Sequence, residues 1–158
     1  MVGLNESKIQ GCQMNEQEKW EYINKLDEEL LVGGVILSEW STFLIREAET
    51  AFCNGASLAA ILIAVAGIES HLRFEYFSEP SERKQRLHDL IENAPIPHEL
   101  KQDLHKLRRY RNKWVHVEDP SDDEELLNRP EYVEKEIENT AQIAIRVLMQ
   151  TIYLEQWI

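Results

Sequence analysis

One segment, residues 57–68, limits the folds open to this chain more than any other feature. It reads SLAAILIAVAGI and runs directly into Glu69. A helix over about 57–77 would be apolar on every side as far as Ile68, and such a helix belongs at the centre of a bundle, surrounded by other helices. A membrane span needs about 20 apolar residues, and only about a dozen are uninterrupted here. We therefore expect a buried core helix and no membrane association.

The rest of the chain shows helical periodicity broken by caps, glycines and prolines, and no run alternates as a strand would. Five further helices are predicted, over about 15–31, 38–54, 80–94, 97–117 and 131–158. The acidic run, residues 118–125, is predicted to be a solvated loop. These elements predict an all-α, antiparallel helical bundle of about five main helices and a short sixth element, forming one domain over residues 1–158.

The charge is unevenly distributed. The chain has 17 basic and 29 acidic residues, a net charge of −12, which argues against a protein that coats nucleic acid non-specifically. Residues 83–113, however, contain nine basic and four acidic residues. Such a strip is compatible with the capture of an anion at one defined place, or with a solvated face of mixed charge.

Cysteine and histidine usage predicts neither a disulfide framework nor a metal site. Cys12 and Cys53 form no CxxC pair, and the N-terminus lacks a basic stretch followed by an apolar one, so a cytoplasmic protein is expected. The acidic run lacks the glycine of a calcium loop. His88, His98 and His105 are too scattered for a zinc signature. We expect no metal and no cofactor.

The predicted helices over 38–54 and 97–117 each have one apolar face. On the first, the face predicted to be buried consists of Trp40, Phe43, Leu44, Glu47, Ala48 and Ala51. On the second, the spacing places Leu100, Leu104, Leu107, Arg111 and Trp114 together.

Arg111 is the charged member of that second face. A guanidinium among leucines needs a partner, because an isolated buried charge is costly. Glu69, which interrupts the apolar helix, is the expected partner, and Glu75 is the second choice. The pair would either fix the register of the two helices or serve a site.

A polar strip lies beside Arg111 on the same helix. It is formed by His105, Arg109, Asn112 and His116, at steps of four, three and four residues. Arg111 and His116 are about 140° apart on an ideal helix. Their cooperation requires Arg111 to swing round, the helix to end near His116, or a second copy of the helix to contribute, which favours a composite site at a two-fold interface.

An arginine and a histidine suffice for one kind of metal-free chemistry. An imidazole can take the proton of a hydroxyl, and a guanidinium can hold a phosphoryl group that gains charge in the transition state. Together they can cleave a phosphodiester next to a 2′-hydroxyl. Arg111, Asn112 and His116 are the candidate catalytic residues, with Glu69, Arg109 and His105 in supporting roles.

The chain resembles the HEPN superfamily of helical domains (higher eukaryotes and prokaryotes nucleotide-binding), whose active members carry Arg, a polar residue that is often Asn, and His a few residues later. The match is Arg111, Asn112 and His116, together with the AILIAVAGIESHLR segment and LHDLIENAPIPHELKQDLHKLRRYRNKWVH. The likeness covers about 60 residues, from Ala56 to His116.

The resemblance implies a homodimeric, metal-independent endoribonuclease, with Arg111 and His116 of both subunits converging on the scissile phosphate. Asn112 would orient the substrate or His116, and Glu69 would position Arg111. Such domains commonly act as toxins or defence effectors, with a cognate antitoxin or nucleotidyltransferase as partner. The alternative is a non-catalytic dimeric module of the same fold that binds a protein or a nucleotide, and a third option is a structural subunit of a larger complex.

Overall fold

The computed structural model describes residues 13–121 and 124–158, and this part of the chain is helical with no strand. Cys12, the N-terminal stretch and two residues of the acidic run lie outside the described residues. The helices are α1 (Glu16–Leu30), α2 (Glu39–Cys53), α3 (Ser57–Tyr76), α4 (Pro80–Arg83), α5 (Leu87–Asn93), α6 (His98–Val115), α7 (Glu124–Asn128) and α8 (Pro130–Ile152). The prediction of an all-α helical bundle is confirmed.

Helix α3 occupies the centre of the bundle, as its sequence predicts. It packs against α2, α5, α6 and α8, and Ile61, Ile68 and Leu72 on it are almost fully buried. By length and composition alone this helix could also span a membrane, but the core helices of soluble proteins meet the same two criteria. Its burial among four other helices follows from the apolar run that predicted it.

The first two helices begin at the residues predicted from their capping signals. The Asn15 side chain accepts a hydrogen bond from the backbone of Glu18, and the Glu18 carboxylate accepts one from the backbone of Asn15. The Ser38 side chain accepts from the backbone of Ser41 at the start of α2. Each cap satisfies a backbone donor that the helix leaves unpaired.

The buried face of α2 differs from the prediction. Trp40 and Phe43, expected to be buried, are 74% and 59% exposed, whereas Ile45 and Phe52 are buried. Ala48 belongs to both the predicted and the observed face. Apolar residues surround much of this helix, so its periodicity permits more than one face, and contact with α1, α3 and α8 selects the one that is buried.

The single helix predicted over 80–94 is divided into α4 and α5. The guanidinium of Arg73 explains the break, because its Nε donates to the backbone oxygen of Arg83 at 2.9 Å and its Nη2 donates to that of Gln85 at 3.1 Å. In a continuous helix these two oxygens would accept from amides four residues later. A side chain of α3 therefore holds the chain open between the two short helices.

The C-terminal end also departs from the prediction of a helix running to the last residue. Helix α8 ends at Ile152, and the remaining residues fold back so that Trp157 exchanges two backbone hydrogen bonds with Gly34, of 2.8 and 3.0 Å. A Cβ on Gly34 would lie 2.6 Å from the Trp157 ring, so this approach requires glycine. The acidic run is likewise not entirely a loop, because α7 begins at Glu124.

The buried Gly67 of α3 gives a test of this packing. A Cβ there would lie 3.4 Å from Leu148 and 3.6 Å from Leu44, which is ordinary van der Waals contact. Because alanine favours a helix interior over glycine by about 1 kcal/mol, Gly67→Ala is expected to raise the free energy of unfolding by up to that amount. Gly67→Leu should instead lower it by about 1–3 kcal/mol through overpacking. Urea unfolding measures both, and a clear loss of stability in the alanine variant would contradict the expectation.

Candidate anion-binding site

A half-open pocket of about 690 Å³ lies where α3, the connection between α4 and α5, and the last turns of α6 meet. Its walls contain the three candidate catalytic residues on α6 and the candidate supporting residue Glu69 on α3. The lining residues are Glu69, Arg73, Lys84, Gln85, Arg86, Leu87, His88, Arg108, Arg111, Asn112 and His116.

Arg111 is partly buried in this wall, and its Nε is buried with no hydrogen-bond partner among the described residues. The expected partner, Glu69, instead accepts a 2.6 Å hydrogen bond from Arg73 one turn along its own helix. The prediction that Glu69 pairs with Arg111 is therefore wrong. Two residues four apart on one helix meet without any contribution from tertiary packing. With Glu69 paired in this way, Arg111 has no ion-pair partner among the residues that the structure describes. Glu75 does not take the place of Glu69. Burial, and after it the nearby carboxylate of Glu155, raises the pKa of Glu75, whereas a paired guanidinium would lower it.

His116 is the C-cap residue of α6 and directly follows its last residue, Val115. Its backbone amide donates to the oxygen of Asn112 at 3.0 Å, while its own φ and ψ of −123° and 62° have left the helical range. An ideal helix would separate Arg111 and His116 by about 140°. The end of the helix resolves that difficulty, and both side chains line one pocket within a single chain.

The other two supporting candidates lie elsewhere. Arg109 is exposed and is not part of the pocket wall. His105 faces α5, where its Nε2 lies 2.6 Å from a carboxylate oxygen of Glu92. Arg108 connects the two regions, because it lines the pocket and its Nε donates to Nδ1 of His105 at 3.3 Å. The polar strip predicted along α6 is thus divided between two neighbouring surfaces.

The pocket is strongly cationic although the chain as a whole is acidic. Among the described residues that line it there is one carboxylate, that of Glu69, and there are five side chains that carry a positive charge. These are Arg73, Lys84, Arg86, Arg108 and Arg111. Clustered cations in a concave surface attract and hold anions, and guanidinium groups suit the oxygens of a phosphate in particular. The geometry therefore favours an anionic ligand.

No protein-family model, no curated protein and no solved structure matches this chain. The chemistry of the site is accordingly derived from its own residues.

Sequence reasoning missed four of the cationic residues, namely Arg73, Lys84, Arg86 and Arg108. Three of them lie in the basic strip of residues 83–113. The strip predicted an anion-binding surface but not which of its residues would form it. Arg73 gave none, because its role depends on the carbonyl groups that it contacts across the turn after α3. The same contacts fix the backbone on either side of Lys84, so Arg73 shapes the pocket wall.

Proposed function

We propose that this chain is a metal-independent endoribonuclease of the HEPN type, with Arg111 and His116 as its catalytic residues. The observation that carries the proposal is the buried, unpartnered Nε of Arg111 in a cationic pocket that also contains His116. An arginine without a carboxylate partner keeps its charge and its donors for a ligand. A phosphodiester supplies the oxygens that those donors need.

The proposed reaction is attack by the 2′-hydroxyl on the neighbouring phosphorus. His116 accepts the 2′-hydroxyl proton as the 2′-oxygen bonds to phosphorus, and the bond from phosphorus to the 5′-oxygen breaks. Arg111 stabilises the charge that accumulates on the phosphoryl oxygens. Asn112 orients the substrate. The products are a 2′,3′-cyclic phosphate and a 5′-hydroxyl, and the leaving oxygen needs a proton from a second acid.

A homodimer would supply that acid, because His116 of a second copy can enter in the protonated form. The proposal therefore includes a composite site formed by the α6 ends of two chains. It also includes a cytoplasmic toxin or defence role, with a cognate antitoxin or nucleotidyltransferase as partner. Cleavage that rises with the square of protein concentration below the dissociation constant of the dimer would support the composite site.

Purified protein incubated in EDTA with a pool of single-stranded and hairpin RNAs tests the reaction. We expect fragments that end in a 2′,3′-cyclic phosphate, identified by mass spectrometry. The matched control is the same substrate RNA with a single 2′-deoxy substitution at the cleavage site. This RNA should not be cleaved, because it lacks the 2′-hydroxyl that acts as nucleophile.

The outcome that contradicts the proposal also points to the alternative. Absence of cleavage across the RNA pool, combined with retention of a nucleotide or RNA by the protein, would indicate a non-catalytic binding module that uses the same cations. In that case Arg111→Ala should weaken the binding of the ligand, because the pocket supplies the affinity. Cleavage of the 2′-deoxy substrate would show that the chemistry differs from the one proposed.

A further inference from the structure

A second cluster of functional side chains lies beside the cationic pocket, where α5 packs against α6. It consists of His88 and Glu92 on α5 and His105 on α6. One potential ligand atom from each residue lies within 4.8 Å of those of the other two. The imidazole rings of His88 and His105 have centroids 5.1 Å apart. His88 and Glu92 lie four residues apart on α5, whereas His105 meets them only through the packing of α6 against α5, which is why the histidine spacing matched no zinc signature.

We propose that His88, Glu92 and His105 form a binding site for a divalent zinc ion. Two imidazoles and one carboxylate are a donor set that zinc accepts, and a fourth position stays open to water or another ligand. Imidazole nitrogen favours zinc and its neighbours among the transition metals, whereas magnesium and calcium favour oxygen donors. Zinc takes no part in the chemistry of the proposed ribonuclease reaction, which uses no metal.

The surroundings of two ligands suit this assignment. Nδ1 of His88 lies 3.1 Å from a carboxylate oxygen of Asp89, so a proton on Nδ1 would be held there and the lone pair of Nε2 would be left for a metal. A carboxylate that orients a ligating histidine in this way is a common feature of zinc sites. Glu92 is exposed, and one of its carboxylate oxygens already lies 2.6 Å from Nε2 of His105.

The present hydrogen bonds show what zinc must displace. Arg108 Nε donates to Nδ1 of His105, which places the proton of that ring on Nε2, facing Glu92. Zinc on Nε2 requires the proton of the neutral ring to be on Nδ1 instead, where it would oppose the Arg108 donor. The ligand atoms of His105 and Glu92, now 2.6 Å apart, must also separate to about 3.3 Å for tetrahedral bonds of about 2 Å. Glu92 can retreat because it is exposed on a short helix.

Arg108 links this site to the pocket. Its guanidinium loses its acceptor on His105 when the ring takes a proton on Nδ1, and Arg108 also lines the anion pocket. Zinc binding therefore frees a cationic side chain for that pocket. Inorganic phosphate is expected to bind more tightly to the zinc-loaded protein than to the metal-free protein, and Arg108→Ala should abolish the difference.

Calorimetric titration of untagged, metal-free protein with zinc chloride tests the site. We expect one ion per chain, no response to magnesium, and visible absorption on titration with cobalt. His88→Ala, Glu92→Gln and His105→Ala should each weaken zinc binding by about 100-fold or more, since even a change behind a ligand costs about 10–100-fold. His98→Ala is the matched control, because His98 is exposed on α6 outside the cluster and its loss should leave affinity unchanged.

Two results would overturn the proposal. Zinc binding by His88→Ala that equals the parent would show that the ion is held elsewhere, and absence of binding by the parent at millimolar zinc would show that no site exists. His88 and Glu92 are exposed, so their variants should fold even if His105→Ala does not, and circular dichroism verifies this. RNA cleavage measured in EDTA is unaffected by either result, so the ribonuclease proposal stands or fails separately.

Discussion

Replacing His116 with alanine is expected to slow RNA cleavage by about 100- to 10,000-fold, the usual range for the loss of a general acid or base. Because the proposed composite site uses His116 twice, as base in one chain and as acid in the other, the upper part of that range is expected. The residue is exposed at the end of α6, so the variant should keep the stability of the parent. Initial rates on a fluorescent RNA oligonucleotide in EDTA, together with thermal unfolding, provide the comparison.

Two controls make the result specific to His116. His98→Ala removes an exposed histidine from the other end of α6 and should leave the rate unchanged. Added imidazole should restore part of the activity of His116→Ala, which a merely structural defect would not allow. A His116→Ala variant as fast as the parent would remove His116 from the mechanism.

The His71→Leu variant is expected to lose about 2–3 kcal/mol less stability than the parent when the pH falls from 7 to 4.5. His71 is 2% exposed in α3, neither of its ring nitrogens has a hydrogen-bond partner among the described residues, and burial lowers its pKa to about 4. The unfolded chain protonates this group at a pKa of about 6.5. Stability that is complete above pH 6.5 is therefore lost as the pH falls towards 4.

The comparison of free energies of unfolding at pH 7 and pH 4.5, in parent and variant, measures this effect. At pH 7 the leucine variant should be at least as stable as the parent, because it leaves no buried nitrogen unpaired. His98→Leu, at an exposed position, should retain the acid sensitivity of the parent. Equal pH dependence in the parent and the His71→Leu variant would mean that the buried ring is protonated without penalty.

The fold followed from local signals wherever those signals were unambiguous. The apolar run identified α3 as the central helix, and the caps at Asn15 and Ser38 gave the first two helix starts to within a residue. Prediction was wrong where distant residues intervened. Hydrogen bonds from Arg73 divide the helix expected over 80–94. Near the C-terminus, which was expected to be helical, Trp157 forms backbone hydrogen bonds with Gly34 instead.

The sequence predicted which residues form the candidate site, but it predicted only some of the contacts between them. The sequence pointed to Arg111 and His116, and the structure has both in one pocket wall. The sequence could not show that Glu69 forms its ion pair with Arg73. Several acidic and basic side chains on neighbouring helices were compatible with the same spacing. The ribonuclease function and the HEPN relationship stay predictions.

The sequence by itself determined that the chain is helical, which helix lies at the centre, and that a charged side chain interrupts the apolar face of α6. These are consequences of periodicity and capping, which act over a few residues. Only the tertiary structure decided which face of α2 is buried, which cation Glu69 neutralises, and that His88 meets His105. Such pairings depend on how helices dock, and docking brings together residues whose distance along the chain carries no information about their contact.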